Sequence, residues 1–387
     1  MKGNYFVKYE EIHKGEKAMI IMDIKINNLY AFKNFHMNMS YPKKIVGSSI
    51  AGEYLENRPN FRYKKVNIIM GGNATGKTSL GKILMRFTNY FDNGNYNLFT
   101  EIIDERDKEA SLVVDFVTDA DRLYRFKMHI LPCGSDKYTD EDVDIRLFYT
   151  VINQKDNYET CVGRLNEGDF QNIAYEDIEI ETRGWHFSYP YDSWKKTGSY
   201  LIEDDENYLY ILEQIMKTLD PSIREVIKLK ELDNTYAIKL KNHSVIIQEG
   251  KISNGRLLSS GTKAGIDISY IIASLVCDKH DLYYCDELFS YINSDIEKAC
   301  LSIMIEKLTD RKQLFFTTHN TDVLDMQLPK HSFTFLKKDA EDINMPIKCV
   351  YAGNFLKRNT DSLKHAVEND LFCTVPELHR LYEIADL

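Results

Sequence analysis

The residues best suited to chemistry form one glycine-rich segment, in which a glycine, four residues and a second glycine precede a lysine and a threonine. The segment reads Gly71-Gly72-Asn73-Ala74-Thr75-Gly76-Lys77-Thr78, and Ser79 follows it. In this pattern backbone N–H groups close around phosphate oxygens, the lysine reaches the β- and γ-phosphates, and the hydroxyl holds Mg²⁺. The segment therefore predicts a nucleoside triphosphate site, with Lys77 on the phosphates and Thr78 on the metal.

The elements that must position this segment are predicted on both sides of it. Residues 66–70 form an apolar run of strand length, and residues 79–87 carry apolar side chains on one helical face. A strand, a glycine-rich turn and a helix N-terminus together direct positive backbone dipoles at phosphate. The alternative is a glycine-rich turn that binds nothing, and the flanking elements favour the phosphate site.

Two further polar positions follow apolar strands in the last third of the sequence. Asp286 and Glu287 end the run 282–287, and His319 falls at the end of the run 313–320. One acid can hold the Mg²⁺ shell, here Asp286, while the next polarises an attacking water. Taken alone, the acidic pair also fits a solvated turn, and His319 also fits a hydrogen-bonded histidine at a strand end.

A serine–glycine pair, Ser260-Gly261, stands before an apolar helix predicted over residues 264–277. Alone, this pair is an ordinary helix cap. The order of the signals along the chain adds information: a phosphate loop, a long intervening stretch, Ser-Gly at a helix start, a strand with Asp-Glu and a strand with His.

This order resembles the ABC-type ATPase superfamily, and within it the non-transporter branch of SMC proteins and overcoming-lysogenization-defect (OLD) ATPases, many of them bacterial anti-phage components. The resemblance covers most of the chain and implies ATP as the nucleotide. It implies that Ser260 and Gly261 complete the nucleotide site of another subunit. It also implies that Glu287 is the catalytic base and His319 the switch histidine near the γ-phosphate.

The resemblance predicts an α/β fold, an ABC-type P-loop ATPase head with an inserted α+β lobe. Residues 1–95 and 250–348 are expected to form the head, 96–249 the lobe, and 349–387 a C-terminal interaction appendage with a helix near 375–384. In the resembled branch, the half of the head that carries Ser260 and Gly261 cannot reach the nucleotide bound by its own protomer. The resemblance therefore implies two protomers joined head to tail around two triphosphates. We therefore expect a homodimer or a higher homo-oligomer.

Hydrophobic patterns predict the remaining elements, which are hairpins over 20–39 and 110–130, a helix over 208–219 and strands over 223–247. Residues 40–62 read as a loop. Residues 131–199 show no assignable pattern. The resembled branch normally has a glutamine that senses the metal. Its position in this chain is not assigned, because the candidates Gln154 and Gln171 lie in the unassigned residues 131–199.

Composition narrows the classes of partner. The chain has 387 residues with 49 Lys and Arg against 59 Asp and Glu, a formal net charge of -10, so any contact with DNA must be local. The seven cysteines include no close pair, which argues against a zinc knuckle and fits reduced thiols in a cytoplasm. The most apolar late run, 268–277, is too short to span a bilayer. We expect a cytoplasmic protein that does not enter a membrane.

Three functional classes remain open. The leading one is an ATP-operated switch or scaffold that controls a separately encoded effector, a nuclease or toxin, in anti-phage defence. The second is a DNA-repair or DNA-structure-binding SMC-like ATPase without a protein effector. The third, a nuclease, needs an acidic metal cluster after the ATPase core, and only short stretches follow His319. A transporter subunit fits least, because the opening strand motif, Asn28-Leu29-Tyr30-Ala31-Phe32-Lys33, and the long insertion differ from that branch.

Overall fold

The computed structural model describes residues 19–45, 47–118, 121–134, 137–168, 171–173, 184–189, 206–248, 251–356, 361–372 and 382–386. None of the helices in these ranges is long and apolar enough to cross a bilayer. The strands are β1 (Ile20–Asn27), β2 (Phe35–Asn38), β3 (Tyr54–Leu55), β4 (Arg58–Arg62), β5 (Val66–Met70), β6 (Ala110–Thr118), β7 (Arg122–Ile130), β8 (Val143–Val151), β9 (Gln171–Ile173), β10 (Trp185–Ser188), β11 (Glu225–Lys228), β12 (Thr235–Lys239), β13 (Ser244–Gln248), β14 (Lys251–Ile252), β15 (Leu282–Asp286), β16 (Gln313–Thr317), β17 (Phe333–Lys338) and β18 (Ile347–Tyr351). The helices are α1 (Lys77–Asn93), α2 (Asn97–Thr100), α3 (Tyr158–Glu167), α4 (Glu206–Leu219), α5 (Ser260–Val276), α6 (Ser294–Lys307), α7 (Ala352–Phe355) and α8 (Leu363–Glu368).

The sheet that positions the candidate site has the strand order β10-β15-β16-β5-β17-β18. Its first five strands run parallel, and β18 pairs antiparallel with β17 at one edge. Strands β5, β15 and β16 are buried along their whole length, as apolar parallel strands covered on both faces are. Because the strands are parallel, the phosphate loop, the acidic pair and the histidine all follow strand ends at the same edge.

A second, antiparallel sheet has the order β2-β1-β6-β7-β8-β9. One hydrophobic core joins side chains of this sheet, of α1 and of the parallel sheet. Phe87 of α1 contacts Phe116 of β6 and Phe126 of β7, with ring centroids 5.8 and 5.4 Å apart. Tyr284 of β15 and Phe315 of β16 belong to the same core. The helix that begins in the phosphate loop is therefore packed against both sheets.

A third, smaller sheet, β11-β12-β13-β14, is an antiparallel meander. It shares a core with α4 and α5, to which Leu212, Ile238 and Ile266 contribute. The helix predicted over 208–219 and the strands predicted over 223–247 agree with α4 and with β11 to β13.

Two predicted domain boundaries cut across sheets. The sequence predicts an inserted lobe over 96–249, whereas β6, β7 and β8 pair in series with β1 of the N-terminal part. The expected start of the appendage at 349 falls inside β18, which pairs with β17 of the head. Hydrogen bonds between strands that are distant in sequence leave no local pattern, so boundaries drawn from local patterns miss them. Among the described residues of the predicted lobe, β11 to β13 and α4 belong neither to the parallel sheet nor to the sheet that contains β1.

Local differences have similar causes. The stretch 40–62, predicted as a loop, contains the hairpin β3–β4, whose polar strands lack apolar alternation. The unassigned stretch 131–199 contains β8 and α3. The predicted helix 375–384 lies largely outside the described residues, and its end overlaps a short 3-10 helix, Glu383–Asp386.

Candidate nucleotide-binding and catalytic site

The glycine-rich segment forms a tight loop between β5 and α1. Gly71 has φ 157°, and a Cβ there would lie 2.5 Å from the Leu336 carbonyl oxygen. Gly76 has φ 97° and precedes the first residue of α1; a Cβ there would lie 2.7 Å from the Phe32 ring. Asn73 is exposed on the loop, and the first turn of α1 contains no acidic residue. The backbone is thus shaped by glycine, and the helix begins without an acidic residue of its own, which favours an anion at its N-terminus.

The rest of the predicted loop lies around this turn. Ala74 is exposed with φ 58°, and Thr75 is buried and donates from Oγ1 to the Gly72 carbonyl at 2.9 Å. Ser79 lies half-buried in the first turn of α1. The loop therefore has an exposed tip and a hydrogen-bonded base.

Lys77 lies across the loop rather than out in solvent. Its Nζ donates to the carbonyl oxygens of Gly71 and Gly72 at 2.9 and 3.1 Å and lies 3.3 Å from Glu287 Oε1. The side chain is 4% exposed. Burial lowers the pKa of the Lys77 ammonium, and the charge of Glu287 opposes that shift. Lysine and carboxylate thus share one partly enclosed space.

Thr78 and Asp286 face each other across the boundary between α1 and β15. Thr78 Oγ1 donates to Asp286 Oδ2 at 2.6 Å, and Thr317 Oγ1 donates to Asp286 Oδ1 at 2.7 Å. Burial raises the pKa of the fully buried Asp286 carboxyl, while these two hydroxyls oppose the shift. Each carboxylate oxygen is therefore oriented by a hydroxyl group.

These oxygens fit Mg²⁺, which prefers hard oxygen ligands and usually takes one or two carboxylates together with substrate phosphates and water. Across the described ranges, no group of three or more His, Cys, Asp or Glu residues could hold a metal by itself. The Thr78 hydroxyl and the Asp286 carboxylate are the donors that would meet a metal bound to a triphosphate.

Glu287 and His319 form the second half of the site. His319 Nε2 lies 2.6 Å from Glu287 Oε1, and this hydrogen bond is the main reason that the pKa of Glu287 is lowered. The Glu287 backbone has φ 46°, and its N–H donates to Thr317 Oγ1 at 2.9 Å. Asp286 pairs with Thr317 in the register of β15 and β16, so both strand ends are adjacent. The two side chains are 25% and 37% exposed and can meet water.

Ser260 and Gly261 lie apart from this group. They open α5, whose N-cap Ser259 accepts a hydrogen bond from the Thr262 backbone N–H at 3.0 Å. Gly261 faces the loop after β15, where a Cβ would lie 2.7 Å from the Tyr291 carbonyl oxygen. In the described part of the chain, no hydrogen bond or ion pair joins Ser260 or Gly261 to the phosphate loop.

Two aromatic residues of the site, Tyr284 and Tyr189, belong to no sequence motif, and the sequence does not predict them as site residues. The Tyr284 hydroxyl donates to the Lys77 carbonyl at 2.6 Å and so holds the first residue of α1. Tyr189 follows β10, and burial and the nearby Asp286 charge raise its pKa. The alternation of aromatic and polar residues in Trp185–Ser188 is the signal that could have revealed this strand.

The two glutamines considered for metal sensing lie elsewhere. Gln154 is exposed in the turn after β8, and Gln171 begins β9 of the antiparallel sheet. In the parallel sheet, β10 pairs with β15. This strand ends at Ser188 and is followed by Tyr189, so no glutamine stands at its end.

Comparisons with known proteins identify a family and a similar fold. The family profile described as "AAA domain, putative AbiEii toxin, Type IV TA system" matches residues 66–325. The chain is similar to an SMC head bound to the C-winged helix domain of ScpA, at 12% identity and a TM-score of 0.50, covering 87% of this chain and 99% of that one. No curated protein sequence matches.

Two further structures resemble the chain less closely. The SMC head domain of Thermotoga maritima has 10% identity and a TM-score of 0.41, covering 86% of this chain and 98% of that one. The recombination mediator protein RecF with ATP has 12% identity and a TM-score of 0.40, covering 88% and 98%. The similarity to the first SMC head supports the α/β fold of an ABC-type ATPase head. Because the profile spans well over half of the 387 residues, the chain belongs to the AAA domain family with that description.

Proposed function

We propose that the protein hydrolyses ATP at the carboxyl edge of its parallel sheet. The observation that carries this proposal is the position of Glu287 Oε1, which lies 3.3 Å from Lys77 Nζ and 2.6 Å from His319 Nε2. A cation for the phosphates, a carboxylate for water and a histidine near both are the groups that phosphoanhydride hydrolysis uses.

Glu287 would act as the general base. Its lowered pKa keeps the carboxylate ionised at neutral pH, and its partial exposure lets a water molecule approach. Thr317 holds its backbone through the N–H, so the carboxylate projects from a fixed strand end. His319 would position the carboxylate or the γ-phosphate.

Mg²⁺ would be held by Thr78 and Asp286. When bound, the ion neutralises charge on the phosphate oxygens. Asp286 has no exposed surface and its oxygens accept from two hydroxyls. The metal-binding carboxylate is therefore oriented before any ligand arrives.

A head-to-tail dimer would complete the site. The α5 N-terminus carries Ser260, which is exposed, and borders Tyr291, whose side chain is 71% exposed. Backbone N–H groups at a helix N-terminus favour an anion, and the γ-phosphate bound by a second copy of this chain would supply one. Exposed Tyr291 provides an apolar contact next to that position.

ATP occupancy would control a separately encoded effector, a nuclease or toxin, in anti-phage defence of the OLD type. Two observations support this step. The family description names a toxin of a type IV toxin–antitoxin system, and the similar SMC head is bound to a domain of another protein. If the dimer closes on ATP, ATP would bind the partner-bound and the partner-free states of the chain with different affinities. A ligand acts as a switch only when its affinities for two states differ in this way.

A DNA-structure-binding ATPase is the second candidate, and one feature favours it. The lining of a cavity of about 540 Å³ includes Lys43, Lys44 and Lys330, on a chain whose net charge is -10. Such a local concentration of cations is what a phosphate backbone requires on an acidic protein. Binding of DNA that weakens with salt and falls in Lys43→Glu/Lys44→Glu would support this candidate.

One series of experiments tests the leading proposal. The full chain is purified from its native host, and phosphate release from Mg-ATP, co-purified proteins, and nuclease activity with and without ATP are measured. We expect slow hydrolysis, a bound protein partner and no cleavage by the chain alone. Absence of phosphate release by the wild-type chain contradicts the ATPase. Robust Mg²⁺-dependent cleavage by the isolated chain contradicts the effector model.

A further inference from the structure

A buried carboxylate lies behind the Glu287–His319 pair. Glu297, on α6, is 2% exposed. It belongs to no motif of the nucleotide site, and a carboxylate buried to this degree requires hydrogen-bond donors around it.

Its two donors are the residues on either side of His319. Thr318 Oγ1 donates to Glu297 Oε1 at 2.7 Å, and Asn320 Nδ2 donates to Glu297 Oε2 at 2.7 Å. Strand β16 ends at Thr317, so the backbone that carries His319 lies beyond the regular strand. The Thr318 N–H donates to the Ile69 carbonyl at 3.2 Å. Beyond this backbone hydrogen bond, the side-chain hydrogen bonds of Thr318 and Asn320 to Glu297 orient this short segment.

The amide group of Asn320 has a defined orientation. Its Nδ2 donates to Glu297 and also to Ser294 Oγ at 2.8 Å, while its Oδ1 accepts from the Asp322 backbone N–H at 3.0 Å. Rotating the amide by half a turn would place oxygen against the Glu297 carboxylate and nitrogen against the Asp322 N–H. The arrangement thus specifies which partner must accept and which must donate.

Helix α6 also connects back to Glu287. The helix starts at Ser294, after the short loop that follows the acidic pair. Glu297 therefore links the element after Glu287 to the segment that bears His319. Between these two elements lies the 2.6 Å contact of His319 Nε2 with Glu287 Oε1.

We propose that Glu297 is a positioning residue that sets the orientation of His319 toward Glu287 through its hydrogen bonds to Thr318 and Asn320. This inference rests on the proposed ATPase function, in which Glu287 and His319 carry the reaction. Glu297 itself touches neither water nor phosphate in this role.

The first test is Glu297→Gln, which keeps the size of the side chain. The Gln Oε1 can still accept from Thr318, but its Nε2 then faces the donor Nδ2 of Asn320. We expect kcat for ATP hydrolysis to fall roughly 10- to 100-fold, because small misplacements in a catalytic site have costs of that size. ATP affinity should stay within about twofold. Glu306→Gln, on the same helix and with a side chain 72% exposed, is the matched control and should behave as wild type.

The second test exchanges donor and acceptor. In the double variant Glu297→Gln/Asn320→Asp, the new amide on α6 donates to the new carboxylate after β16, and that carboxylate still accepts from the Asp322 N–H. Ser294 Oγ, which in the wild type accepts from Asn320 and donates to Asp322 Oδ2, must then turn its hydrogen toward residue 320. We expect the double variant to recover much of the kcat lost in either single variant. Additive losses would show that the two residues do not act through each other.

A third measurement needs no nucleotide. The rate at which diethylpyrocarbonate modifies His319, followed by peptide mass spectrometry, reports how firmly the imidazole is held at Glu287. Modification should be faster in Glu297→Gln than in wild type and Glu306→Gln, with melting temperatures recorded for all variants. Unchanged labelling together with wild-type kcat in Glu297→Gln overturns the inference. A wild-type chain that releases no phosphate refutes the ATPase proposal instead, and the labelling comparison still tests the position of His319.

Discussion

At the scale of single residues, the phosphate-loop lysine and the proposed base contact each other directly. Lys77 Nζ lies 3.3 Å from Glu287 Oε1 and also donates to the carbonyls of Gly71 and Gly72. A triphosphate entering the loop would exchange these contacts for phosphate oxygens. Glu287 would then exchange a cation for water, so nucleotide binding would itself prepare the base.

The first prediction concerns Lys77→Ala. The change removes the buried ammonium beside the loop, and a hydrogen bond to a charged group contributes about 1.5–3 kcal/mol. We expect ATP affinity to fall roughly 10- to 150-fold while the fold is retained. Titration of labelled ATP measures this, with Lys307→Ala as the control because its side chain is 46% exposed. Equal affinity in Lys77→Ala and wild type would refute the assigned role.

The second prediction concerns Glu287→Gln. The amide cannot accept a proton from water, so turnover should slow by about 10²- to 10⁴-fold, while ATP still binds. Slow hydrolysis should also leave a nucleotide-bound dimer that light scattering detects. Phosphate release at the wild-type rate would exclude Glu287 as the base.

The third prediction is a pH dependence of stability. The hydrogen bond from His319 lowers the pKa of Glu287 below its usual value of 4.5. A lowered carboxyl pKa stabilises the folded state fully above the usual value, and this stabilisation is lost as the pH falls through the lower one. Lowering the pH from about 6 to about 3 should therefore reduce the Tm of wild type more than that of Glu287→Gln. Parallel Tm curves for the two proteins would contradict this.

At the scale of elements, the contact of α1 with β15 fixes the phosphate loop against the acidic strand. A Cβ at Gly81 of α1 would lie 2.4 Å from the ring of Tyr284. That ring is fully buried and stacks on Phe187 and Phe315, with centroids 6.0 and 5.8 Å away. The ring has no room to move, and its hydroxyl holds Lys77. A helix glycine is needed here for close packing.

The fourth prediction compares two helix glycines. Gly81→Ala should lower the free energy of unfolding by about 1–3 kcal/mol, the usual cost of overpacking a core. Gly163→Ala in α3 meets nothing within 4 Å and should raise it by up to about 1 kcal/mol, since alanine favours a helix. Urea unfolding of both variants gives the two signs. A stabilised Gly81→Ala would show that α1 and β15 are not closely packed.

At the scale of the whole molecule, the proposed site would be divided between two copies of the chain. Lys77, Glu287 and His319 lie together in one protomer. The exposed start of α5 with Ser260 lies apart from them and close to exposed Tyr291. A site that uses both groups requires two protomers in opposite orientation.

The fifth prediction is complementation between two inactive variants. Lys77→Ala removes phosphate binding in its own protomer, and Ser260→Arg blocks the surface offered to the neighbour. A mixed dimer retains one site with neither change and should have up to about half of the wild-type activity per dimer. Because random pairing makes about half of the dimers mixed, the mixture should recover up to about a quarter of the wild-type activity, as expected for reciprocal contacts across a two-fold axis. Light scattering checks that each variant dimerises. Mixtures that dimerise and stay inactive would show that the sites are not shared.

The sequence by itself determined the local parts of this protein. The strand and helix around the phosphate loop, the hairpin of β6 and β7, and α4 and α5 follow from hydrophobic periods and helix caps that act over a few residues. The spacing of the loop glycines, Lys77 and Thr78 was also sufficient to predict the nucleotide site, because that chemistry is built within one turn.

Only the tertiary structure decided which distant segments of the chain lie next to each other. The pairing of β6 with β1 and of β18 with β17 depends on hydrogen bonds between distant segments, and the contact of Tyr284 with Lys77 joins residues 207 positions apart. Glu297 shows the reason most clearly. In the sequence it is one acid on a helix, and only the packing of α6 against the end of β16 buries it and gives it Thr318 and Asn320 as partners.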